Sequence, residues 1–155
     1  MKDLIANIKQ SDVKIDTTYT AQPAEVVRIA QKRGKKGKSL WKDEHQFQKA
    51  VCDQALLLSV DYAEADLLFA VPNGQYRDGQ RLEAGVRSGV PDLCLPVARR
   101  GYHSLYIELK INGNTTSAEQ DQWIARLRSQ GHRVEVIDSD LNAAISLLKW
   151  YLGKD

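Results

Sequence analysis

Cysteine and histidine are scarce in this chain of 155 residues, with two of the first and three of the second. Cys52 and Cys94 lie far apart in apolar settings and form no C-x-x-C pair, which excludes a zinc knuckle and a disulfide framework and fits a reducing, intracellular setting. His45, His103 and His132 are scattered and make no local ligand pair, so zinc-hydrolase chemistry has no support. No apolar run approaches the ~20 residues of a membrane span, and "MKDLIANIKQSDVKID" lacks the apolar core of a signal peptide. A cytosolic protein with no membrane partner is the expectation. An excess of one charge is also missing: the net charge is +2 with 27% charged residues, so bulk charge does not announce a nucleic-acid partner. No internal repeat is present. The length allows one compact domain and is too short for two ordinary ones.

What is there is unevenly placed. "RIAQKRGKKGKSLWK", Arg28 to Lys42, holds seven basic residues, including Lys35 and Lys36, and no carboxylate. Such a run repels itself and attracts polyanions, and it serves equally as a solubilising linker or as a nucleic-acid contact. Residues 1–40 have no core-forming pattern and read as an N-terminal arm with a basic linker; residues 41–155 read as the folded domain.

Within the domain, Phe47, Ala50, Val51, Ala55 and Leu58 recur at helical intervals and predict an amphipathic helix of about four turns, with Glu44 at the edge of its inward face. "ADLLFAVPNG" predicts a short buried strand stopped at Pro72-Asn73-Gly74. A polar, arginine-bearing segment follows, with a short helix expected around "GQRLEAG". "PDLCLPV" and "HSLYIELK", joined by the tight basic loop "ARRGY", predict a β-hairpin. "TTSAEQDQWIARLRSQGH" carries a capping box (Thr116 with Glu119), a helical stripe and a stop at Gly131. "RVEVID" is a further strand and "SDLNAAISLLKWYL" a closing helix. This order predicts an α/β fold, a mixed sheet flanked by helices, antiparallel in the hairpin and parallel across the helical crossover.

Along "LYIELK" the side chains alternate, so Leu105, Ile107 and Leu109 share one face and Tyr106, Glu108 and Lys110 the other. E-x-K in a strand ordinarily means a polar face in water. Asp92 changes the weighing, because a hairpin would bring it to the end of the next strand, where two carboxylates and an ammonium converge. Two hard oxygen ligands suit Mg²⁺ or Mn²⁺, and an adjacent lysine can hold a water or stabilise a charged phosphate. Asp92 after Pro91 is equally a loop-ending residue. Gln120 falls on the stripe with Trp123, Ile124 and Leu127, and an inward amide needs a partner; S-x-x-Q capping by Ser117 would also supply one.

Proline-aspartate followed sixteen residues later by the glutamate of E-x-K resembles the PD-(D/E)xK nuclease superfamily. The ordered set "LLFAVPNG", "GVRSGVPDLCLPV", "YHSLYIELK" and "SAEQDQWIARLRSQGHRVEVI" resembles its VRR-NUC (virus-type replication-repair nuclease) branch, from about Trp41 to the C-terminus. The resemblance implies a restriction-endonuclease-like α/β fold and a divalent-metal-dependent DNA endonuclease acting on four-way junctions or other branched DNA, in a bacterial or phage-infected cell. It makes Glu44, Asp92, Glu108 and the carbonyl of Leu109 metal ligands for Mg²⁺ or Mn²⁺, Lys110 the catalytic lysine, and Gln120 a residue that touches the lysine or a phosphate. Glu44 is also an ordinary first-turn glutamate. Asn73 and Gly74 match a turn that allows close backbone approach. Arg77, Arg81, Arg87, Arg99 and Arg100 are candidate phosphate contacts, joined by Lys35 and Lys36 of the arm. Trp41, Tyr76 and Tyr102 are candidates to stack on an unpaired base or to act as lids on the core. A single site per chain implies a homodimer for cutting both strands of a branched duplex. The competing reading is a non-catalytic nucleic-acid-binding module of the same fold.

Overall fold

A computed structural model describes residues 40–72, 76–77, 80–81 and 84–153. The elements are α1 (Glu44–Leu58), a 3₁₀ turn (Ala63–Leu67), β1 (Phe69–Ala70), β2 (Tyr76–Arg77), β3 (Gln80–Arg81), β4 (Leu93–Leu95), β5 (Leu105–Lys110), α2 (Ala118–Ser129), β6 (Arg133–Asp138) and α3 (Leu141–Leu152). The main sheet runs β1-β4-β5-β6, and β2-β3 form a separate two-stranded ladder. β4 and β5 pair antiparallel and β5 and β6 parallel, as the hairpin and the helical crossover predict.

α1 begins where Asp43 accepts the Gln46 amide at 2.8 Å, and its Phe47, Val51 and Ala55, one turn apart, are buried. α3 begins at Asp140, which accepts the Ala143 amide at 2.9 Å, and buries Ala144, Leu147, Leu148, Tyr151 and Leu152. These two helices pack on each other and on the sheet face that carries Leu93, Leu95, Leu105, Ile107 and Leu109, which together form the core. Each such fully buried side chain contributes about 1.5–3 kcal/mol. α2 lies on the other face, against β6.

Three local expectations are corrected. "ADLLFAV" does not form a buried strand: Ala63–Leu67 makes a 3₁₀ turn around buried Ala65, and only Phe69–Ala70 pairs, as an exposed edge against Leu93–Cys94. An edge strand has a neighbour on one side only, which leaves Phe69 half exposed. The described residues of the segment expected to form a short helix around "GQRLEAG" form none: Gln80–Arg81 pairs with Tyr76–Arg77 and the chain turns at Ala84–Gly85. The capping box of α2 is built one residue later than Thr116 and Glu119: Ser117 Oγ accepts the Gln120 amide at 3.3 Å while Gln120 Oε1 accepts the Ser117 amide at 2.9 Å. Thr116 instead donates its hydroxyl to Asp121 at 2.5 Å.

The "ARRGY" loop is a two-residue reversal. Arg99 and Tyr102 exchange backbone hydrogen bonds at 2.8 and 3.1 Å, and the central Arg100 and Gly101 take φ values of 50° and 79°. Positive φ at both central positions matches the twist of the flanking strands.

Candidate active site

β5 is the central strand, covered on both faces, so its polar residues are not in water. Glu108 is 0% exposed and Lys110 5% exposed, which removes the solvent-facing account of E-x-K. The ladder Leu93↔Ile107 and Cys94↔Tyr106, continued by one step, sets Asp92 opposite Glu108 on the same face of the sheet. Asp92 is fixed there by its own carboxylate, whose Oδ2 accepts the amide of Leu109 at 2.7 Å.

Lys110 Nζ donates to Glu108 Oε1 at 2.5 Å and to the carbonyl of Leu109 at 3.1 Å, and stands 4.0 Å from Glu44 Oε1. Gln120 Nε2 donates to the same Glu108 Oε1 at 2.5 Å. Gln120 closes the helix cap with its oxygen, as S-x-x-Q allows, while its nitrogen reaches the buried Glu108 carboxylate and not the lysine. Both donors converge on one oxygen of Glu108. The other, Oε2, is buried and has no hydrogen-bond partner among the described residues.

Such an orphaned carboxylate oxygen costs free energy unless something cationic meets it. Burial pushes the Glu108 carboxyl up to about 7, the neighbouring Asp92 charge adds to the rise, and Lys110 opposes it. Burial alone would lower Lys110, but its hydrogen bond to Glu108 and the charges of Glu108, Glu44 and Asp92 overcome that and raise it. At neutral pH Lys110 is thus a cationic donor rather than a base.

The donor set suits a hard cation. Asp92, Glu108 and the Leu109 carbonyl supply oxygens, and Mg²⁺ characteristically takes few protein ligands and keeps several waters. Among the described residues no three Asp, Glu, His or Cys side chains close on one point, so this is not an all-side-chain cage. Glu44 reaches the site through Lys110.

Ser139, which sequence reasoning missed, locks the end of β5. Its amide donates to the Lys110 carbonyl at 2.8 Å, its hydroxyl accepts the Asn112 amide at 3.0 Å, and its carbonyl accepts Trp41 Nε1 at 3.2 Å. Ser139 follows β6 with φ 57°, a conformation that a serine in the sequence does not announce. Trp41, stacked on Phe47 with ring centroids 5.3 Å apart, is thereby a core lid. Gly89 and Trp123 were missed as partners too. Gly89, at φ 83°, lies against the Glu119 backbone, and Trp123 Nε1 donates to the Ser88 carbonyl at 3.0 Å, so α2 holds the segment leading into Asp92.

The arginines divide. Arg87 is exposed on the segment before β4, and Arg77 and Arg81 lie on the β2-β3 ladder. Arg99 and Arg100 sit at the far end of the hairpin, beyond Leu105, which is itself about 17 Å along β5 from Lys110 at about 3.4 Å per residue. There Arg99 pairs with Glu64, while Arg100 donates to the Trp150 carbonyl at 2.5 Å and the Gly153 carbonyl at 3.4 Å and lies over the Trp150 ring. Arg99 thus ties the loop to the 3₁₀ turn and Arg100 ties it to the end of α3, both away from the carboxylates. A cavity of about 560 Å³, lined in part by Asp61, Tyr62, Glu64, Arg99 and Arg100, lies at this same far end and holds no part of the carboxylate cluster. Lys35, Lys36, Asn73 and Gly74 lie outside the described residues.

Comparison with known proteins accords with this geometry. No curated protein matches the chain. A solved structure described as a VRR_NUC domain protein is 26% identical, with a TM-score of 0.55 over 72% of this chain and 90% of the other. A second, described as a VRR_NUC domain, is 20% identical, with a TM-score of 0.45 over 70% of this chain and 96% of the other. The first accords with the restriction-endonuclease-like α/β fold. The VRR-NUC domain profile matches residues 59–141, more than half of the sequence, and includes Asp92, Glu108, Lys110 and Gln120. The chain therefore belongs to the VRR-NUC domain family, a family of nucleases whose work requires binding nucleic acid.

Proposed function

We propose that the protein is a divalent-metal-dependent endonuclease that hydrolyses DNA phosphodiester bonds, acting on branched DNA such as a four-way junction. The observation that carries this is the buried, half-satisfied carboxylate of Glu108 beside Asp92 and Lys110. Asp92, Glu108 and the Leu109 carbonyl would hold Mg²⁺ or Mn²⁺. When bound, the ion supplies a water of lowered pKa and charge neutralisation at the phosphate.

The chain's own residues do the rest. Gln120 and Lys110 both engage Oε1 of Glu108, which fixes the carboxylate's rotation and leaves Oε2 for the ion. Lys110 offers its ammonium to an oxygen of the phosphate or to the attacking water, a charge-assisted donor already in place before substrate arrives. Glu44 keeps that ammonium oriented. The described residues of each chain hold one such cluster, so paired cuts in a branched duplex call for two copies, and a homodimer is the corresponding assembly.

A non-catalytic DNA-binding module would have no need of this cluster. The test is incubation of labelled linear, nicked, flapped and four-way DNA with and without Mg²⁺, mapping the cuts. Mg²⁺-dependent cleavage, strongest on branched DNA and lost in both Asp92→Asn and Lys110→Ala, is expected. Cleavage that survives in both variants would overturn the assigned roles.

A further inference from the structure

On the sheet face that carries the carboxylates, one aromatic ring stands open to solvent. The ladder pairs Phe69 with Cys94 and Cys94 with Tyr106, so these three side chains lie in one row across β1, β4 and β5, on the same face as Asp92 and Glu108. Phe69 is 50% exposed, and among the exposed large apolar residues described it is the only aromatic. Its ladder partner is two residues from Asp92, which places Phe69 about 7 Å along the strands and one strand spacing, about 5 Å, to the side.

The ring's neighbours fix its surroundings. Tyr106 packs edge-on to His132 with ring centroids 5.5 Å apart. Cys94 is only 5% exposed. α2 covers the β6 side of the face, where Arg128 donates to the Val134 carbonyl at 2.7 Å, and β1 is the opposite edge, with no further strand paired to it among the described residues. The other exposed apolar residues near α1, Leu56, Leu57 and Val60, belong to the side of the sheet on which α1 packs. Two further exposed apolar residues stand near it, Leu67 (48%) two residues before Phe69 and Val136 (36%) opposite Glu108 on β6, and Phe69 is the one aromatic ring among them. Two aromatics that the sequence offered for stacking are already engaged, Trp41 on Phe47 and Tyr102 beneath Arg133.

We infer that Phe69 is a stacking platform for an unpaired nucleobase next to the phosphate that Lys110 would engage beside Asp92 and Glu108. This rests on the nuclease function proposed above and adds to it a means of recognising branched DNA, because only a base released from its partner can lie flat on a protein ring. Fully paired DNA keeps its bases stacked on one another and gains nothing from Phe69.

The test is equilibrium binding without metal, using the full chain with Glu108→Gln so that DNA stays uncut, and labelled duplexes of one sequence with or without a single unpaired nucleotide. The parent should prefer the duplex with the unpaired nucleotide. Phe69→Ala should reduce that preference about tenfold, the weight of one base–aromatic stack, and Phe69→Trp should preserve it. A parent without the preference, a Phe69→Ala chain that retains it, or a Phe69→Trp chain as weak as Phe69→Ala would each overturn the inference. Failure of the nuclease function itself appears separately, as absence of Mg²⁺-dependent cleavage by the chain with Glu108 intact.

Discussion

Replacing Glu108 by glutamine should make the metal-free protein more stable at pH 8 while abolishing cleavage. The native carboxyl is raised from the ordinary 4.5 to about 7 by burial and by Asp92. A folded-state value above the unfolded one means that the native chain holds this proton more tightly. The group's contribution is therefore fully present below pH 4.5 and is lost as pH rises through 7. At about 1.4 kcal/mol for each factor of ten in proton affinity, the ionised carboxylate costs the fold about 3 kcal/mol at pH 8. Glutamine keeps an oxygen to accept from Lys110 and Gln120, but sets an amide nitrogen in place of Oε2. That unpaired group costs about 1 kcal/mol, leaving a net gain of about 2 kcal/mol. Urea unfolding in EDTA at pH 8 and pH 5 reads this directly: the Glu108→Gln midpoint should lie above wild type at pH 8, and the two should nearly coincide at pH 5. A variant less stable than wild type at pH 8, or an offset equal at both pH values, would refute the reasoning.

Two further perturbations probe how the site is held. Gly89→Ala would place a Cβ 2.8 Å from the Glu119 backbone carbon at a φ of 83°, so it should destabilise by about 2 kcal/mol and lower kcat by displacing the start of α2 and with it Gln120; thermal unfolding and steady-state cleavage read both. Tyr151, whose hydroxyl burial pushes up to about 12, donates to the Val97 carbonyl at 2.7 Å; Tyr151→Phe should cost about 1–2 kcal/mol in urea unfolding and leave the pH profile of cleavage as it was.

The elements with strong periodicity were legible in the chain alone. α1, α2, α3, the hairpin and β6 follow from apolar spacing and turn chemistry, and the convergence of Asp92, Glu108 and Lys110 follows from the alternation of one strand and the pairing of another. Gln120 was visible as an inward amide, although its double engagement was not, because sequence cannot show that one side chain uses its oxygen locally and its nitrogen across space. "ADLLFAV" misled because seven largely apolar residues look buried whether a strand is central or at an edge; only the sheet order decides. That Arg99 and Arg100 lie at the opposite end of the hairpin from the carboxylates was not legible, because adjacent arginines in a loop carry no sign of which end of the sheet the loop occupies. Ser139 and Gly89 act through the backbone, where residue identity leaves little trace.

The carboxylate of Asp92 takes the Leu109 amide, so it serves as the last rung of the β4-β5 ladder. The gap between the two acidic groups is thus set by strand pairing, about 5 Å between directly opposed residues, rather than by the connecting loops. Segments on either side can lengthen or shorten without retuning that span, whereas any slip in strand alignment would dismantle it entirely.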